Sequence, residues 1–103
     1  MWYDPDMTRP DAITRLREHE AELRRLGVES LYLFGSTARD EATADSDVDL
    51  FFDYQRGTLG LYELMEVKER AAAILGCKTD IMTRGSIHAL IKQSVEVAAV
   101  RVF

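Results

Sequence analysis

Residues 34–50 read FGSTARDEATADSDVDL and are the most informative part of the sequence. This stretch contains a Gly-Ser pair, ten further residues, and then Asp47 and Asp49 separated by one residue. The runs on either side, VESLYLF at 28–34 and DVDLFFD at 47–53, are rich in strand formers and predict two strands. Alternate residues of a strand face opposite sides, so both aspartates are expected on one face.

Periodicity and turn residues predict the remaining helices and strands. The first predicted helix starts at a Thr8 and Asp11 capping box and ends at Gly27. Further helical segments are predicted over 36–42, as one or two turns, over 61–75, where Gly76 stops the helix, and after Ser86. A third strand is predicted over 77–83. The tail AVRVF is compatible with fraying, with an edge strand or with continuation of the last helix. This order predicts an α+β fold in which a small mixed sheet has helices packed on one face.

Composition limits the class of protein. The chain has 103 residues, 47% hydrophobic and 30% charged, which predicts one packed domain over residues 1–103. Cys77 is the only cysteine, so no internal disulfide is possible and a cytoplasmic location is expected. Neither a signal peptide nor a membrane-spanning run is present in the sequence. The net charge of −5 argues against stable nucleic-acid binding, which relies on clustered basic residues.

Three aspartates are candidates for a metal site. Two carboxylates at alternate positions of one strand repel each other unless a cation neutralises them. Mg²⁺ prefers oxygen ligands and is usually held by one or two carboxylates together with substrate phosphates. Asp80 lies on the third predicted strand, on the face opposite Thr79 and Ile81. If that strand neighbours the second one, then Asp47, Asp49 and Asp80 can hold two ions, as in-line phosphoryl displacement requires.

The Gly-Ser turn is a candidate phosphate site. Gly35 allows the backbone to approach a phosphate closely, and the N–H groups that begin the short helix at Ser36 attract anions. Arg39 is placed either to reach a phosphate or to pair with Asp40 or Glu41. The residues therefore predict a turn that holds a triphosphate beside carboxylates that hold metal ions.

The string GSTARDEATADSDVDL resembles the signature of the nucleotidyltransferase superfamily related to DNA polymerase beta, in which Gly-Ser and ten residues precede Asp-x-Asp. Within that superfamily the chain most closely resembles the minimal nucleotidyltransferases, which are often encoded beside a HEPN-domain partner. The order of elements extends the resemblance over essentially the whole chain. The site residues it implies are Gly35 and Ser36 for the nucleotide and Asp47, Asp49 and Asp80 for the metals.

The resemblance also implies a reaction and a partner. The reaction is Mg²⁺-dependent transfer of a nucleoside monophosphate, AMP from ATP, to a hydroxyl of another protein. The implied partner is a HEPN-type toxin modified on a tyrosine, which makes this chain the antitoxin. The alternative is a binding module that neutralises the toxin by covering it. Transfer to a small molecule such as an aminoglycoside is disfavoured, because the sequence has no second domain to bind it.

Two features leave questions open. Asp40 stands where many relatives have glycine, and a carboxylate there is expected to weaken triphosphate binding. The last predicted helix carries a regular apolar stripe, which fits either core packing or a partner-binding surface. The residues of that stripe are Ile87, Leu90, Ile91, Val95 and Ala98.

Overall fold

The computed structural model describes residues 8–38, 48–55, 57 and 59–103, except for the side chains of Ser36 and Thr37. The described residues form five helices and four strands. In chain order these are α1 (Arg9–Glu18), α2 (Glu20–Arg25), β1 (Val28–Phe34), α3 (Gly35–Ala38), β2 (Val48–Tyr54), α4 (Leu61–Leu75), β3 (Thr79–Thr83), a 3-10 turn (Arg84–Ser86), α5 (Ala89–Ala98) and β4 (Val100–Arg101). None of the helices described is both long and apolar enough to span a membrane.

The four strands form one mixed sheet in the order β3-β2-β1-β4. β1 pairs antiparallel with β2 and with β4, whereas β2 and β3 are parallel. Parallel strands need a crossover connection, and α4 lies in it. The predicted α+β fold with a mixed sheet is confirmed, and the tail resolves as an edge strand. Its next residue continues the contact with β1, because the Val102 amide donates to the Leu31 carbonyl over 2.8 Å.

The main core lies between one face of the sheet and helices α1, α2 and α4. Alternation along the strands directs apolar side chains to this face, as the sequence predicted. The buried side chains from the strands are Val28, Leu31, Leu33, Val48, Leu50, Phe52 and Ile81, and those from the three helices are Ala12, Leu16, Leu23, Val67, Ala71 and Leu75. All of these are at most 2% exposed, so this face carries most of the hydrophobic stabilisation.

The N-terminal helical region differs from the single predicted helix. The Thr8 cap is present, because its hydroxyl accepts from the Asp11 amide at 3.3 Å. The helix is then interrupted at His19, whose φ of −111° and ψ of 19° lie outside the helical range. The His19 ring nitrogen Nδ1 lies 2.9 Å from the Arg15 carbonyl oxygen. A short-range backbone irregularity therefore divides the predicted helix without changing its apolar periodicity.

The last helix, α5, presents its apolar side chains to water. In this fully described helix no residue is buried, and Leu90, Ile91 and Val97 are 88%, 52% and 81% exposed. Ile87, which precedes the helix, is the buried member of the predicted stripe. Core packing therefore does not account for the stripe on α5. The interpretation of the stripe as part of the core is wrong for the isolated chain.

Candidate active site

Asp49 and Asp80 lie side by side on the sheet face opposite the main core. They are register partners on the parallel strands β2 and β3, so their side chains project from the same face of neighbouring strands about 4.8 Å apart. Asp49 is half-buried and Asp80 is exposed. The expectation that the third strand neighbours the second one is thus met in the structure, and the two carboxylates are brought together as the sequence analysis predicted.

Gly35, next to the end of β1, packs against Asp49 on the neighbouring strand β2. It follows β1 directly and has a φ of +76°, a conformation that L side chains rarely adopt. A Cβ at this position would overlap Asp49 Oδ2 and would lie 3.2 Å from Asp49 Cγ. Both the backbone conformation and the lack of space therefore require glycine here. The turn and the carboxylate form one tight unit.

Three of the residues singled out in the sequence lie outside the described part of the chain. Asp47 and Arg39, together with Asp40, lie outside the described residues, and only the backbone of Ser36 is described, within α3. Within the described part of the chain no three Asp, Glu, His or Cys side chains form a group able to hold a metal ion. The site that can be described consists of Gly35, Asp49 and Asp80. Carboxylate oxygens are ligands that fit Mg²⁺, and Mg²⁺ held by one or two carboxylates commonly also binds substrate phosphates.

Aromatic side chains lie beside the carboxylates on the same face of the sheet. Tyr32 and Phe51 are register partners whose rings stack with centroids 4.9 Å apart and an interplanar angle of 16°. Phe34 packs on Phe51 at 5.6 Å. Phe34 is in turn the register partner of Asp49 and the residue before Gly35. We call Tyr32, Phe51 and Phe34 the aromatic row, which reaches from the middle of the sheet to the candidate site.

Arg84 lies over two rings of the aromatic row. Its guanidinium lies 4.8 Å from the ring centroid of Tyr32 and 4.9 Å from that of Phe51. The same guanidinium donates two hydrogen bonds to Asp53, at 2.7 and 3.0 Å, and one to Glu96 on α5, at 2.5 Å. The hydrogen bonds that the guanidinium donates to Asp53 and Glu96 raise the pKa of Arg84 above its usual value, so the guanidinium remains charged.

Comparison with known proteins places this arrangement in a family. The profile of the nucleotidyltransferase domain matches residues 16–102, a range that includes Gly35, Asp49 and Asp80. The chain belongs to the nucleotidyltransferase domain family. The expected family and enzyme class are thereby confirmed.

Relatives of this nucleotidyltransferase include a protein of Thermococcus cleftensis named protein adenylyltransferase MntA. It is 37% identical over 81 residues, which cover 78% of this chain and 81% of the relative. A solved structure provisionally described as a minimal nucleotidyltransferase is 26% identical, with a TM-score of 0.78 and coverage of 91% of this chain and 95% of that one. The family and the fold therefore agree.

A further solved structure holds a tri-AMPylated HEPN toxin of Shewanella oneidensis in complex with an MNT antitoxin. It matches with a TM-score of 0.62 and 19% identity, covering 88% of this chain and 71% of the other. At this identity the likeness is one of fold. In that complex, the MNT antitoxin is bound to a HEPN toxin that carries AMP groups.

Sequence reasoning missed Arg84 and the aromatic row of this nucleotidyltransferase. Asp53 reads from the sequence as an exposed strand end, whereas the structure pairs it with a residue 31 positions away. The only available signal was that Tyr32, Phe34 and Phe51 would share a face with the aspartates if β1 and β2 paired in this register. Register and long-range ion pairs are tertiary features, so the sequence pattern alone gave no reason to select Arg84.

Proposed function

We propose that this chain is a cytoplasmic, Mg²⁺-dependent nucleotidyltransferase that moves AMP from ATP to a hydroxyl of a partner protein. The observation that carries the proposal is the packing of Gly35 against Asp49, with Asp80 as the register partner of Asp49. This arrangement puts a backbone turn suited to phosphates directly beside carboxylates suited to a divalent cation. The family membership and the relative named as a protein adenylyltransferase support the same reaction.

The proposed roles of the residues follow from their chemistry. Asp47, Asp49 and Asp80 hold Mg²⁺, which when bound neutralises charge on the triphosphate. Gly35 and Ser36 receive the β and γ phosphates, because the N–H groups of the turn attract anions. Arg39 follows the turn and is proposed to contact a phosphate.

The proposed chemical step is an in-line displacement at the α-phosphorus of ATP. The acceptor hydroxyl oxygen forms a bond to this phosphorus while the bond to the bridging oxygen of the pyrophosphate breaks, and pyrophosphate leaves. A carboxylate oxygen of Asp80 accepts the proton of the acceptor hydroxyl. Asp80 suits this role because it is exposed at the surface that an acceptor must approach.

The proposed acceptor is a HEPN-type toxin, and this chain would act as its antitoxin. The structural neighbour with an AMPylated HEPN toxin motivates this choice of partner. A second candidate function, neutralisation by binding with little catalysis, is favoured by one observation. The exposed side chains Leu90, Ile91 and Val97 on α5 give an apolar surface that transfer chemistry does not require.

The test is intact mass spectrometry of the neighbouring gene's product, the candidate acceptor, after incubation with this chain, ATP and Mg²⁺. The native chain is expected to add one or more AMP groups, and the Asp47→Asn, Asp49→Asn double variant none. Glu66→Gln is the matched control, since Glu66 is an exposed carboxylate on α4 away from the site and its loss is expected to leave transfer unchanged. A stable complex without added mass would reject the transferase and favour neutralisation by binding.

A further inference from the structure

One charged side chain connects the aromatic row to two other parts of the fold. We infer that Arg84 is a positioning residue for the nucleotidyl transfer. It acts by fixing the aromatic row, whose member Phe34 adjoins Gly35 in the chain and pairs with Asp49 in the sheet. This inference rests on the proposed function and adds to it a residue that does not touch the substrate.

Arg84 itself is held in one geometry. Nε and Nη2 donate to the two carboxylate oxygens of Asp53 on β2, at 2.7 and 3.0 Å, and Nη1 donates to Glu96 on α5, at 2.5 Å. A bidentate pair of this kind restricts the guanidinium in orientation as well as in distance. The side chain is 30% exposed, so the ion pairs are only partly screened by water. Its position is therefore set jointly by β2 and α5.

The Arg84 guanidinium lies over a buried aromatic part of the second sheet face. Phe51 is fully buried although it lies on the face opposite the main core and is not a member of the core cluster. Tyr32 stacks beside it, and Arg84 lies over both rings at less than 5 Å from their centroids. Without the guanidinium, this contact with the two rings would be lost and they would be free to shift.

A shift of the rings would reach the site through a short chain of contacts. Phe51 packs on Phe34, and Phe34 is bonded directly to Gly35. Gly35 lies so close to Asp49 that not even a Cβ can be inserted between them. Because packed residues transmit displacement, a movement of Phe34 alters the relative position of the turn and the carboxylate. Groups that orient metal ligands commonly change affinity by about 10- to 100-fold when they are removed.

The contacts require arginine and not merely a positive charge. A lysine can supply one ion pair but neither the planar fork to Asp53 nor the flat contact over two rings. Arg84→Lys is therefore expected to show a reduced form of the defect of Arg84→Met.

The chain contains a matched control elsewhere in the fold. Arg24 lies 4.9 Å from the ring centroid of Phe103 and pairs with Glu20 at 2.7 Å, so it combines the same two kinds of interaction. Arg24 belongs to α2. In the described part of the chain, none of its hydrogen bonds, ion pairs or ring contacts involves the aromatic row or the site residues. Arg24→Met thus removes a comparable arginine contact at a distance from the site.

The experiment measures binding of the ATP analogue AMP-PNP in the presence of Mg²⁺ by isothermal titration calorimetry, with thermal unfolding of each variant recorded in parallel. Arg84→Met is expected to weaken binding about tenfold and Arg84→Lys about threefold, whereas Arg24→Met stays within about twofold of the native chain. If Arg84→Met does not fold, the folded Arg84→Lys variant decides the question by the same comparison with Arg24→Met.

Three results would overturn the inference, and they are distinguishable. Binding by Arg84→Lys and Arg84→Met as tight as that of the native chain would reject the positioning role while leaving the proposed function intact. A native chain that binds no AMP-PNP with Mg²⁺ would reject the proposed function, and the role of Arg84 with it. Equal weakening by Arg24→Met and Arg84→Met would also reject it, since the effect would then follow general destabilisation.

Discussion

The two faces of the β1 and β2 pair bury equally large side chains in different ways. Phe52 is fully buried against the helices that form the main core, whereas the adjacent Phe51 is fully buried on the other face beneath Arg84. The first face is packed with apolar side chains from three helices. On the second face, the charged Arg84 lies over the rings of Tyr32 and Phe51 and pairs with Asp53 and Glu96. Complete burial of a residue therefore does not establish that it belongs to the hydrophobic core.

This difference has a physical consequence. Apolar packing is nondirectional, and a core tolerates changes that preserve volume. A guanidinium held by a bidentate carboxylate has a defined orientation, so the face that it covers has a defined geometry. The candidate site lies on this second face, next to Phe34, and the main core provides the support on which it is built.

The two phenylalanines test the comparison directly. Phe52→Ala is expected to lower the free energy of unfolding by about 4–5 kcal/mol, and Phe51→Ala by about 3 kcal/mol, within the range for buried phenylalanines. The smaller loss is expected because Phe51 borders the partly exposed Arg84, which allows water into the vacated space. Urea unfolding followed by circular dichroism measures both. A larger loss for Phe51→Ala would mean that the second face stabilises the fold as a core does.

Two leucines extend the comparison to the helices. Leu75 on α4 is almost fully buried, and Leu90 on α5 is 88% exposed. Leu75→Ala is expected to cost about 2–5 kcal/mol, and Leu90→Ala less than about 0.5 kcal/mol in the isolated chain. Urea midpoints at constant slope give the two values. A substantial cost for Leu90→Ala would show that its side chain is covered in solution, and its disappearance on dilution would identify self-association.

Two glycines separate strain from crowding at the site. Gly76 has a φ of +67° and ends α4, but an added Cβ would meet nothing closer than Arg15 Nη1 at 4.0 Å. Gly76→Ala is therefore expected to cost about 1–2 kcal/mol, from the left-handed conformation alone. Gly35→Ala adds the overlap with Asp49 and is expected to cost about 1 kcal/mol more. Thermal unfolding measures both, and equal costs would show that Asp49 moves aside freely.

The smallest change in stability is expected at Asp80. Asp80→Asn alters an exposed side chain and should change the free energy of unfolding by less than about 0.5 kcal/mol. If Asp80 holds Mg²⁺, the same variant should reduce AMP transfer at least about tenfold, as loss of a group at a metal site does. Mass spectrometry of the acceptor protein at several times gives the rate. Unchanged transfer would remove Asp80 from the proposed site.

Most of the fold could be predicted from the chain because its signals are local. Strand formers in residues 28–34 and alternation in residues 47–53 predicted the two central strands, and Gly76 marked the end of α4 correctly. His19 shows the limit of such signals, since a change in backbone angle at one residue divides a helix whose apolar spacing is unbroken. The stripe on α5 shows another limit, because periodicity identifies a face but not what covers it.

The sequence by itself determined the family, the α+β class, and the candidate turn and carboxylates around Gly35 and Asp49, because these depend on residue type, spacing and alternation. That Asp80 faces Asp49, that Gly35 has no room for a Cβ, and that Arg84 lies over Tyr32 and Phe51 became visible only in the folded chain. These features join residues 14 to 52 positions apart along the chain, through strand register, close packing and ring contacts. Such contacts form when separate elements pack together, and local patterns carry no record of that packing.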